Sequence, residues 1–464
     1  MKQQEVVLCY DRSLNPVYIK NNDRLLHTLV VGPTGCGKSS LIFTPLILQD
    51  VMNDSVGVTL FDPKEDLVQK IYPYVKKIDP SRVILIDPTD LNCPKINPLE
   101  GSEDIVTKTL LTIFSPDFTI TSISEKFEID INRLLIVKSI KLLKKHPQLV
   151  NNNLNMLTFY NFLNNTQNET RKKCATLLDL LNCQERDTES QELLNWFLYV
   201  YLDNREQTMD RCLYVRGKIE QLINNKYLLN ILTPSSTERN LINFDKHLAE
   251  GDIVLINTKT TILGVLGKMF GEFLMLDYMT SVFNRYHYSE RHGIDRRDVK
   301  ENFLYIDEFT TFSPVILDLF LQGRSFKIGV HIAIQDREML KLCGGDNTEN
   351  KASAIETNCR NIIVFPGVSG ETATFYSKTL FKFLPEEIIY RPFGQMIYRI
   401  IKDNTIRMPD IGLNFFFDEE PSLDSTKFEY RFEKLPDGTV NIIPALQNYQ
   451  EEDDYDEELE KYLK

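Results

Sequence analysis

Apolar residues along this chain fall into short runs that longer amphipathic stretches separate. Short apolar runs bounded by polar positions indicate buried strands. They predict strands at residues 25–31, 56–61, 82–86, 252–257, 303–306, 328–334 and 361–365. Residues 38–50 and 264–285 lie between such runs and have the spacing of helices. Strands that alternate with helices predict an α/β fold with a mainly parallel sheet.

The middle of the chain has a different pattern. Residues 102–243 are rich in polar positions, and apolar residues recur at heptad-like intervals in residues 127–143 and around residues 177–198. This spacing predicts helices. We therefore expect an all-α insertion domain at residues 102–243, between two parts of one nucleotide-binding α/β domain at residues 1–101 and 244–446.

The pattern changes again after residue 394. Short strand-like runs at residues 396–401, 428–432 and 440–443 predict a β-rich segment that caps the α/β domain. Residues 451–460 then carry eight carboxylates in ten positions, and such a charge run cannot bury a core. We expect a disordered acidic tail at residues 447–464, which either keeps the protein soluble or docks a basic partner.

Composition narrows the class of protein. The 464 residues are 42% hydrophobic, which is enough for two or three domains with their own cores. The eight cysteines contain no C-x-x-C pair, which favours reduced thiols in a cytosol over a metal cluster or structural disulfides. Charges interrupt every apolar stretch long enough for export or for a membrane span. The net charge of −13 argues against a surface broadly coated for nucleic acid, although it leaves room for a local basic channel.

The strongest chemical signal is the sequence VVGPTGCGKSS at residues 30–40. It contains G-x-x-x-x-G-K-[ST], in which glycines free backbone N–H groups for phosphate oxygens, the lysine meets the terminal phosphates and the hydroxyl ligates Mg²⁺. The helix that follows offers N–H donors and the positive end of a dipole. We expect a bound nucleotide to contact Gly32, Pro33, Thr34, Gly35, Cys36, Gly37, Lys38, Ser39 and Ser40.

A second constellation follows the strand predicted at residues 303–306. Asp307 and Glu308 stand directly after it, where one carboxylate holds Mg²⁺ and the next polarises the water that attacks the γ-phosphate. Taken alone, the pair is also explained as a helix N-cap. Gln335 ends the next predicted strand, where it either contacts the γ-phosphate or the attacking water, or is a plain surface residue.

With these residues in place, the chain resembles the type IV coupling proteins of conjugation and type IV secretion, the TraG/TraD-like members of the FtsK/HerA group of P-loop ring motors. The resemblance covers residues 25–402 and depends on the order and spacing of its motifs. Besides the phosphate loop and the helical insertion, these are Asp62-Pro63-Lys64, Asn97-Pro98-Leu99, Glu250-Gly251-Asp252, Asp307-Glu308-Phe309, Gly323-Arg324 followed by Gly329 and Gln335, and Asn358 with Glu371-Thr372-Ala373. The fold that the resemblance implies is a RecA-like P-loop NTPase core with an inserted all-α domain.

The resemblance assigns roles to five residues of this core. Lys38 would neutralise the β- and γ-phosphates of ATP, and Ser39 with Asp307 would hold Mg²⁺. Glu308 would be the general base for the attacking water. Gln335 would sense the γ-phosphate.

Other matching positions leave alternatives open. Arg324 matches the position from which family members offer an arginine to the nucleotide of the neighbouring subunit, where a guanidinium stabilises charge on the γ-phosphoryl group. A surface salt bridge explains Arg324 equally well, and Arg360 is the second candidate for the role. Asp62 and Lys64 either touch the nucleotide or pair with each other. Cys36 fills a position that needs a small side chain, and it is either a filler of suitable size or a thiol that the helix-terminal N–H groups acidify.

The family also implies an assembly and partners. A coupling protein is an ATP-driven motor that is a hexamer when active and is often monomeric until assembled. It receives a relaxase bound to single-stranded DNA, or protein effectors, and passes them to a secretion channel. Members usually begin with membrane-spanning helices, which we do not find in this sequence. We therefore expect a cytoplasmic protein that a membrane-anchored channel component recruits to the cytoplasmic face of the membrane.

Two other functions share the same core chemistry. A double-stranded DNA translocase of the FtsK or HerA kind, or a viral genome-packaging motor, has no evident need for the helical insertion. A docking ATPase of a secretion machine would hydrolyse ATP without moving nucleic acid. The basic clusters at residues 138–145 and 171–173 either contact a phosphate backbone or form solvated helix faces.

Overall fold

The structure of the protein is a computed structural model, and it describes residues 5–114, 123–165, 168–184, 187–202, 212–309, 316–341, 348–414, 430–434 and 440–444. The chain is divided into two compact units. We call the first the core unit (Met1–Ile86, Phe244–Thr261 and Ser281–Lys464) and the second the helical unit (Asp87–Asn243 and Ile262–Thr280). The predicted acidic tail at residues 447–464 lies outside the described residues.

The core unit contains the described strands. They are β1 (Glu5–Tyr10), β2 (Pro16–Lys20), β3 (Thr28–Val31), β4 (Val56–Asp62), β5 (Val83–Ile86), β6 (Ile253–Asn257), β7 (Glu301–Ile306), β8 (Ile328–Ile334), β9 (Asn361–Val364), β10 (Gln395–Arg399), β11 (Ile401–Lys402), β12 (Thr405–Ile406), β13 (Asp410–Leu413), β14 (Tyr430–Lys434) and β15 (Val440–Pro444). The main sheet has 11 strands in the order β2-β1-β13-β10-β9-β3-β8-β7-β4-β6-β5. Every pairing from β9 to β5 is parallel, which confirms the predicted α/β fold with a mainly parallel sheet.

Helices surround this sheet and form most of the helical unit. They are α1 (Asn21–Arg24), α2 (Thr44–Val51), α3 (Asp66–Ile78), α4 (Glu103–Phe114), α5 (Ile123–Lys145), α6 (Met156–Asn164), α7 (Glu169–Gln184), α8 (Thr188–Trp196), α9 (Leu213–Asn224), α10 (Lys226–Leu232), α11 (Phe244–Glu250), α12 (Thr260–Leu263), α13 (Val265–Arg291), α14 (Leu317–Gln322), α15 (Glu338–Lys341), α16 (Thr348–Asn358), α17 (Gly370–Leu380) and α18 (Pro385–Ile389). None of them, over the described residues, combines the length and apolar character that a membrane span requires.

The antiparallel edge of the sheet differs from the prediction. Strands β1 and β2 form a hairpin that pairs with β13, and the sequence pattern did not predict it because β2 is short and largely solvent-facing. Strand β10 pairs with both β9 and β13, so this part of the predicted cap continues the main sheet. Strands β14 and β15 form a separate two-stranded sheet.

The strands nearest the phosphate loop are buried along their whole length. Every residue of β3, β4, β6 and β8 is buried. Parallel strands that helices cover on both faces read as near-continuous apolar sequence, because neither face meets water. The ends of these four strands are therefore held rigidly, and the loops that follow them can present polar side chains.

A buried ion pair lies within the core unit. The guanidinium of Arg24 binds both carboxylate oxygens of Asp50, at 2.6 and 2.7 Å, and it lies 3.7 Å from the ring centroid of Phe303. The hydroxyl of Tyr305 donates to Asp50 Oδ2 at 2.6 Å. Arg24, Asp50 and Tyr305 are each at most 1% exposed, so every charge in the group depends on its partners.

His27 lies beside this ion pair, next to strand β8. Its backbone has φ 61°, a left-handed conformation, and its side chain is 3% exposed. The ring Nδ1 accepts a hydrogen bond from the Val330 backbone N–H at 3.1 Å. The imidazole is thus a neutral acceptor in the interior of the sheet.

The helical unit extends beyond the predicted insertion. Residues 87–101, predicted as part of the α/β domain, belong to it, as do residues 262–280. Backbone contacts explain the first difference: the Lys95 N–H donates to Asn240 O at 2.8 Å and the Ile96 N–H donates to Ile231 O at 3.0 Å. The incoming segment is thereby tied to the end of the same unit.

Most lysines of the first basic cluster have partners within the helical unit. Lys145 Nζ lies 2.5 Å from Asp187 and 2.9 Å from Glu189, and Lys141 also pairs with Glu189. Lys144 Nζ donates to two backbone carbonyls at 2.5 and 2.9 Å. These contacts favour an ion-paired helix face over a surface that contacts a phosphate backbone.

Candidate nucleotide-binding site

The predicted phosphate loop leaves the middle of the sheet. Strand β3 lies between β9 and β8, and the Gly32 N–H donates to Ile334 O at 3.1 Å. Gly35 and Gly37 have φ values of 81° and 100°, which side chains rarely adopt. A Cβ at Gly32 would lie 2.7 Å from Phe365 Cβ. The glycines are therefore required both by backbone conformation and by space.

The helix after the loop begins in an unexpected form. Residues Lys38–Phe43 form a π-helical turn, and the α-helix α2 starts only at Thr44. Cys36 precedes this turn and is buried. Burial raises the pKa of its thiol, which is opposite to acidification by the helix-terminal N–H groups and favours the alternative of a filler. Cys36 is thus a small apolar filler of the loop.

Lys38 folds back over the loop. Its ammonium donates to Gly32 O at 2.6 Å and to Pro33 O at 2.9 Å. Burial lowers the pKa of Lys38, because a charge removed from water is disfavoured. Both carbonyls are weaker acceptors than phosphate oxygens, so the ammonium is positioned to exchange them for a nucleotide's terminal phosphates.

Ser39 and Asp307 meet across the carboxyl edge of the sheet. Ser39 Oγ donates to Asp307 Oδ2 at 2.8 Å, although the two residues are far apart in sequence. Burial raises the pKa of Asp307, and this effect exceeds the opposing effects of Ser39 and Lys38. A hydroxyl and a carboxylate are ligands that Mg²⁺ prefers, so the two residues fit this ion. When bound, Mg²⁺ supplies charge neutralisation for the phosphates.

Glu308 lies between two side chains from other strands. Its Oε1 accepts from Gln335 Nε2 at 3.4 Å and forms an ion pair with Lys64 Nζ. The backbone of Glu308 has φ 55°, which is uncommon outside glycine. The strand ends of β4, β7 and β8 thus bring one carboxylate, one amide and one ammonium together.

The contacts of Asp62 and Lys64 exclude one of the two alternatives left open for them. The two side chains do not pair with each other: the Asp62 carboxylate accepts the backbone N–H groups of Lys64, Leu67 and Val68 at 3.1, 2.8 and 2.9 Å. Burial raises the pKa of Asp62 to about 6. Asp62 therefore caps the start of α3, and the side chain of Lys64 forms its ion pair with Glu308 instead. Sequence alone did not indicate the Lys64 partner, because it depends on which strands are neighbours.

Arg324 and Arg360 lie at the other edge of the sheet. Arg324 precedes β8 and Arg360 precedes β9, whereas the phosphate loop follows the carboxyl end of β3. The seven residues of β8 separate the two edges by roughly 23 Å. Both arginines are exposed, and within the described residues neither has an ion-pair partner. The structure does not bring either of them to the phosphate loop of its own chain.

Comparison with known proteins identifies relatives of this chain. Residues 7–261 match the family model described as the central domain of the helicase HerA. The plasmid coupling protein TrwB with a non-hydrolysable GTP analogue is similar in structure, with TM-score 0.60, 14% identity and coverage of 91% of this chain and 92% of TrwB. TrwB with ADP and Mg²⁺ matches with TM-score 0.60, 15% identity and the same coverage.

A second protein of known structure has the same fold. VirB4 of Thermoanaerobacter pseudethanolicus matches with TM-score 0.51, 13% identity and coverage of 91% of this chain and 98% of that chain. No curated protein matches this chain by sequence. At these identities the structures establish the fold, which confirms the predicted RecA-like P-loop core with a helical insertion.

Proposed function

Because the chain belongs to the family of the HerA helicase central domain, we propose that it is an ATP-driven coupling protein of a type IV secretion or conjugation system. Its substrates would be a relaxase bound to single-stranded DNA, or protein effectors. The observation that carries the proposal is the cluster of Lys38, Ser39, Asp307, Glu308 and Gln335 at one sheet edge. The similarity to TrwB over nearly the whole chain favours coupling over other uses of such a motor.

The proposed chemistry is hydrolysis of ATP. Lys38 binds the terminal phosphates, and Ser39 with Asp307 holds Mg²⁺. Glu308 accepts a proton from the attacking water, whose oxygen forms the new bond to the γ-phosphorus as the bond to ADP breaks. Gln335 lies beside Glu308 and orients the same water. Phosphoryl transfer depends mainly on such positioning and on charge neutralisation.

The position of Arg324 supports an assembly in which one copy completes the site of the next. Arg324 is exposed at the edge remote from its own phosphate loop, so a guanidinium acting on nucleotide would act on a neighbouring copy. We propose a homohexamer as the active form. A membrane-anchored channel component is the partner that would hold this ring at the cytoplasmic face of the membrane.

ATP hydrolysis by the purified protein tests this function. We expect turnover that rises with single-stranded DNA and is lost in Lys38→Ala and Glu308→Gln. A Lys20→Ala variant is the control, because Lys20 forms an exposed ion pair with Asp403 in the core unit. Absence of ATP turnover in the wild-type protein with every DNA would contradict the proposal.

The family match favours a second candidate, a double-stranded DNA translocase of the HerA kind. The two candidates differ in the nucleic acid that stimulates ATP turnover. Greater stimulation by duplex DNA than by single strands of equal length would select the translocase. Turnover that no DNA changes would instead select a docking ATPase.

A further inference from the structure

The ion pair between Lys64 and Glu308 joins two neighbouring strand ends. In the parallel pairing of β4 with β7, Phe61 is opposite Ile306, and the Asp307 N–H donates to Phe61 O at 3.1 Å. Lys64 follows β4 and Glu308 follows β7. The sheet itself therefore holds the lysine beside the proposed general base.

This pairing occupies one carboxylate oxygen of Glu308. Its Oε1 accepts from both Lys64 and Gln335, so this oxygen already has two donors before any water binds. The hydrogen bond to Glu308 raises the pKa of Lys64, so the lysine remains an ammonium. Oε1 therefore has to exchange one of these donors before it can bind the attacking water.

The pair is nevertheless easily exchanged. The side chains of Lys64 and Glu308 are 43% and 26% exposed, and ion pairs that water reaches contribute little to stability. Lys64 is also near enough to Lys38 to contribute to the lowered pKa of that residue, after the larger effect of burial. An anion that Lys38 binds is therefore within electrostatic reach of Lys64.

We propose that Lys64 is a nucleotide-responsive latch, which holds Glu308 until a γ-phosphate draws the ammonium away and frees the carboxylate for water. The latch rests on the ATP-hydrolysing function proposed above. Its purpose would be to couple activation of the base to the presence of a triphosphate. A purely structural ion pair would contribute to folding and would not distinguish ATP from ADP.

Measurements of nucleotide affinity test the latch without any ATP turnover. Isothermal titration with Mg²⁺ and either ADP or the β,γ-imido analogue of ATP is applied to wild type, Lys64→Met, Glu308→Gln and the double variant. In Lys64→Met we expect the affinity for the analogue to fall about tenfold, while that for ADP changes less than about twofold. In Glu308→Gln we expect the analogue to bind about threefold tighter, because no ion pair has to open.

The double variant is decisive. If Lys64 and Glu308 act through one another, the double variant binds the analogue as weakly as Lys64→Met alone. Lys64→Arg retains the positive charge and should preserve the preference for the analogue over ADP. Lys20→Met, which removes the exposed pair with Asp403, is the control and should leave both affinities unchanged.

Two results would overturn the latch. One is an unchanged affinity of Lys64→Met for the analogue, in a variant whose thermal unfolding matches wild type. The other is a Glu308→Gln effect that is equally large with and without Lys64. Failure of DNA to stimulate wild-type turnover would instead count against the coupling function and would leave the binding cycle intact.

Discussion

Burial of His27 makes the core unit sensitive to mild acid. Burial lowers the pKa of its imidazole from 6.5 to about 4. In the unfolded chain the ring is protonated below about pH 6.5, whereas in the folded chain it stays neutral until about pH 4. The unfolded state then binds more protons, so the stability that depends on the neutral ring is lost as the pH falls from about 6.5 toward 4.

The size of this effect follows from the two pKa values. At about pH 5.5 protonation favours the unfolded chain by roughly tenfold, whereas at about pH 7.5 it has almost no effect. The difference corresponds to about 1.3 kcal/mol of unfolding free energy from His27 alone. His331, whose pKa burial also lowers, adds to the total slope but is common to the proteins compared below.

The perturbation is His27→Asn. Asparagine tolerates the left-handed backbone, with φ 61° at this position, and its amide oxygen can replace Nδ1 as the acceptor for the Val330 N–H. We expect the variant to be less stable than wild type at both pH values, because it fills less space. Between about pH 7.5 and 5.5, however, it should lose about 1.3 kcal/mol less than wild type.

Urea unfolding followed by far-UV circular dichroism measures this difference. Fluorescence is unsuitable, because Trp196, the one tryptophan of the chain, belongs to the helical unit. His287→Asn is the matched control, since His287 is exposed in the folded protein, and it should lose as much stability on acidification as wild type. Equal losses in wild type and His27→Asn would refute the reasoning.

Three further predictions concern the buried ion pair and the phosphate loop. In thermal unfolding, Asp50→Asn should lower the free energy of unfolding by about 3–5 kcal/mol, because it leaves the Arg24 charge unpaired. Tyr305→Phe should lower it by about 1–2 kcal/mol. Equal losses of stability in the two variants would contradict this prediction. Gly37→Ala should abolish binding of a fluorescent ATP analogue, because its φ is 100° and a Cβ would lie 2.5 Å from Leu41, whereas Gly217→Ala, where space is open, should bind normally. Ser39→Ala should raise the Mg²⁺ concentration for half-maximal ATP turnover at least about tenfold; an unchanged requirement would exclude Ser39 as a ligand.

The parts of the fold that sequence predicted are those with strong local patterns. Strand β8 was predicted with the bounds Ile328–Ile334 that the structure has, because a fully buried strand is apolar throughout. The phosphate loop was predicted from its glycines in the same way, because the backbone conformations of the loop exclude most other residues. Strand β2 gave no such signal, because an edge strand keeps much of its surface in water.

The arrangement of the site was less predictable. The contact between Lys64 and Glu308 requires β4 to lie next to β7, although β5 and β6 intervene in the chain. Crossover connections decide that order, and no local pattern records it.

The parallel strands give the core unit two chemically unlike ends. One end bears the phosphate loop and the other bears Arg324, so a contact that joins them in two copies of the chain is heterologous. Repeating such a contact propagates in one direction and either closes as a ring or continues as a filament. A twofold-symmetric dimer, in which both copies use the same patch, would leave each Arg324 away from its neighbour's loop. Strand direction in a single chain would thus determine the polarity of an assembly that uses this contact.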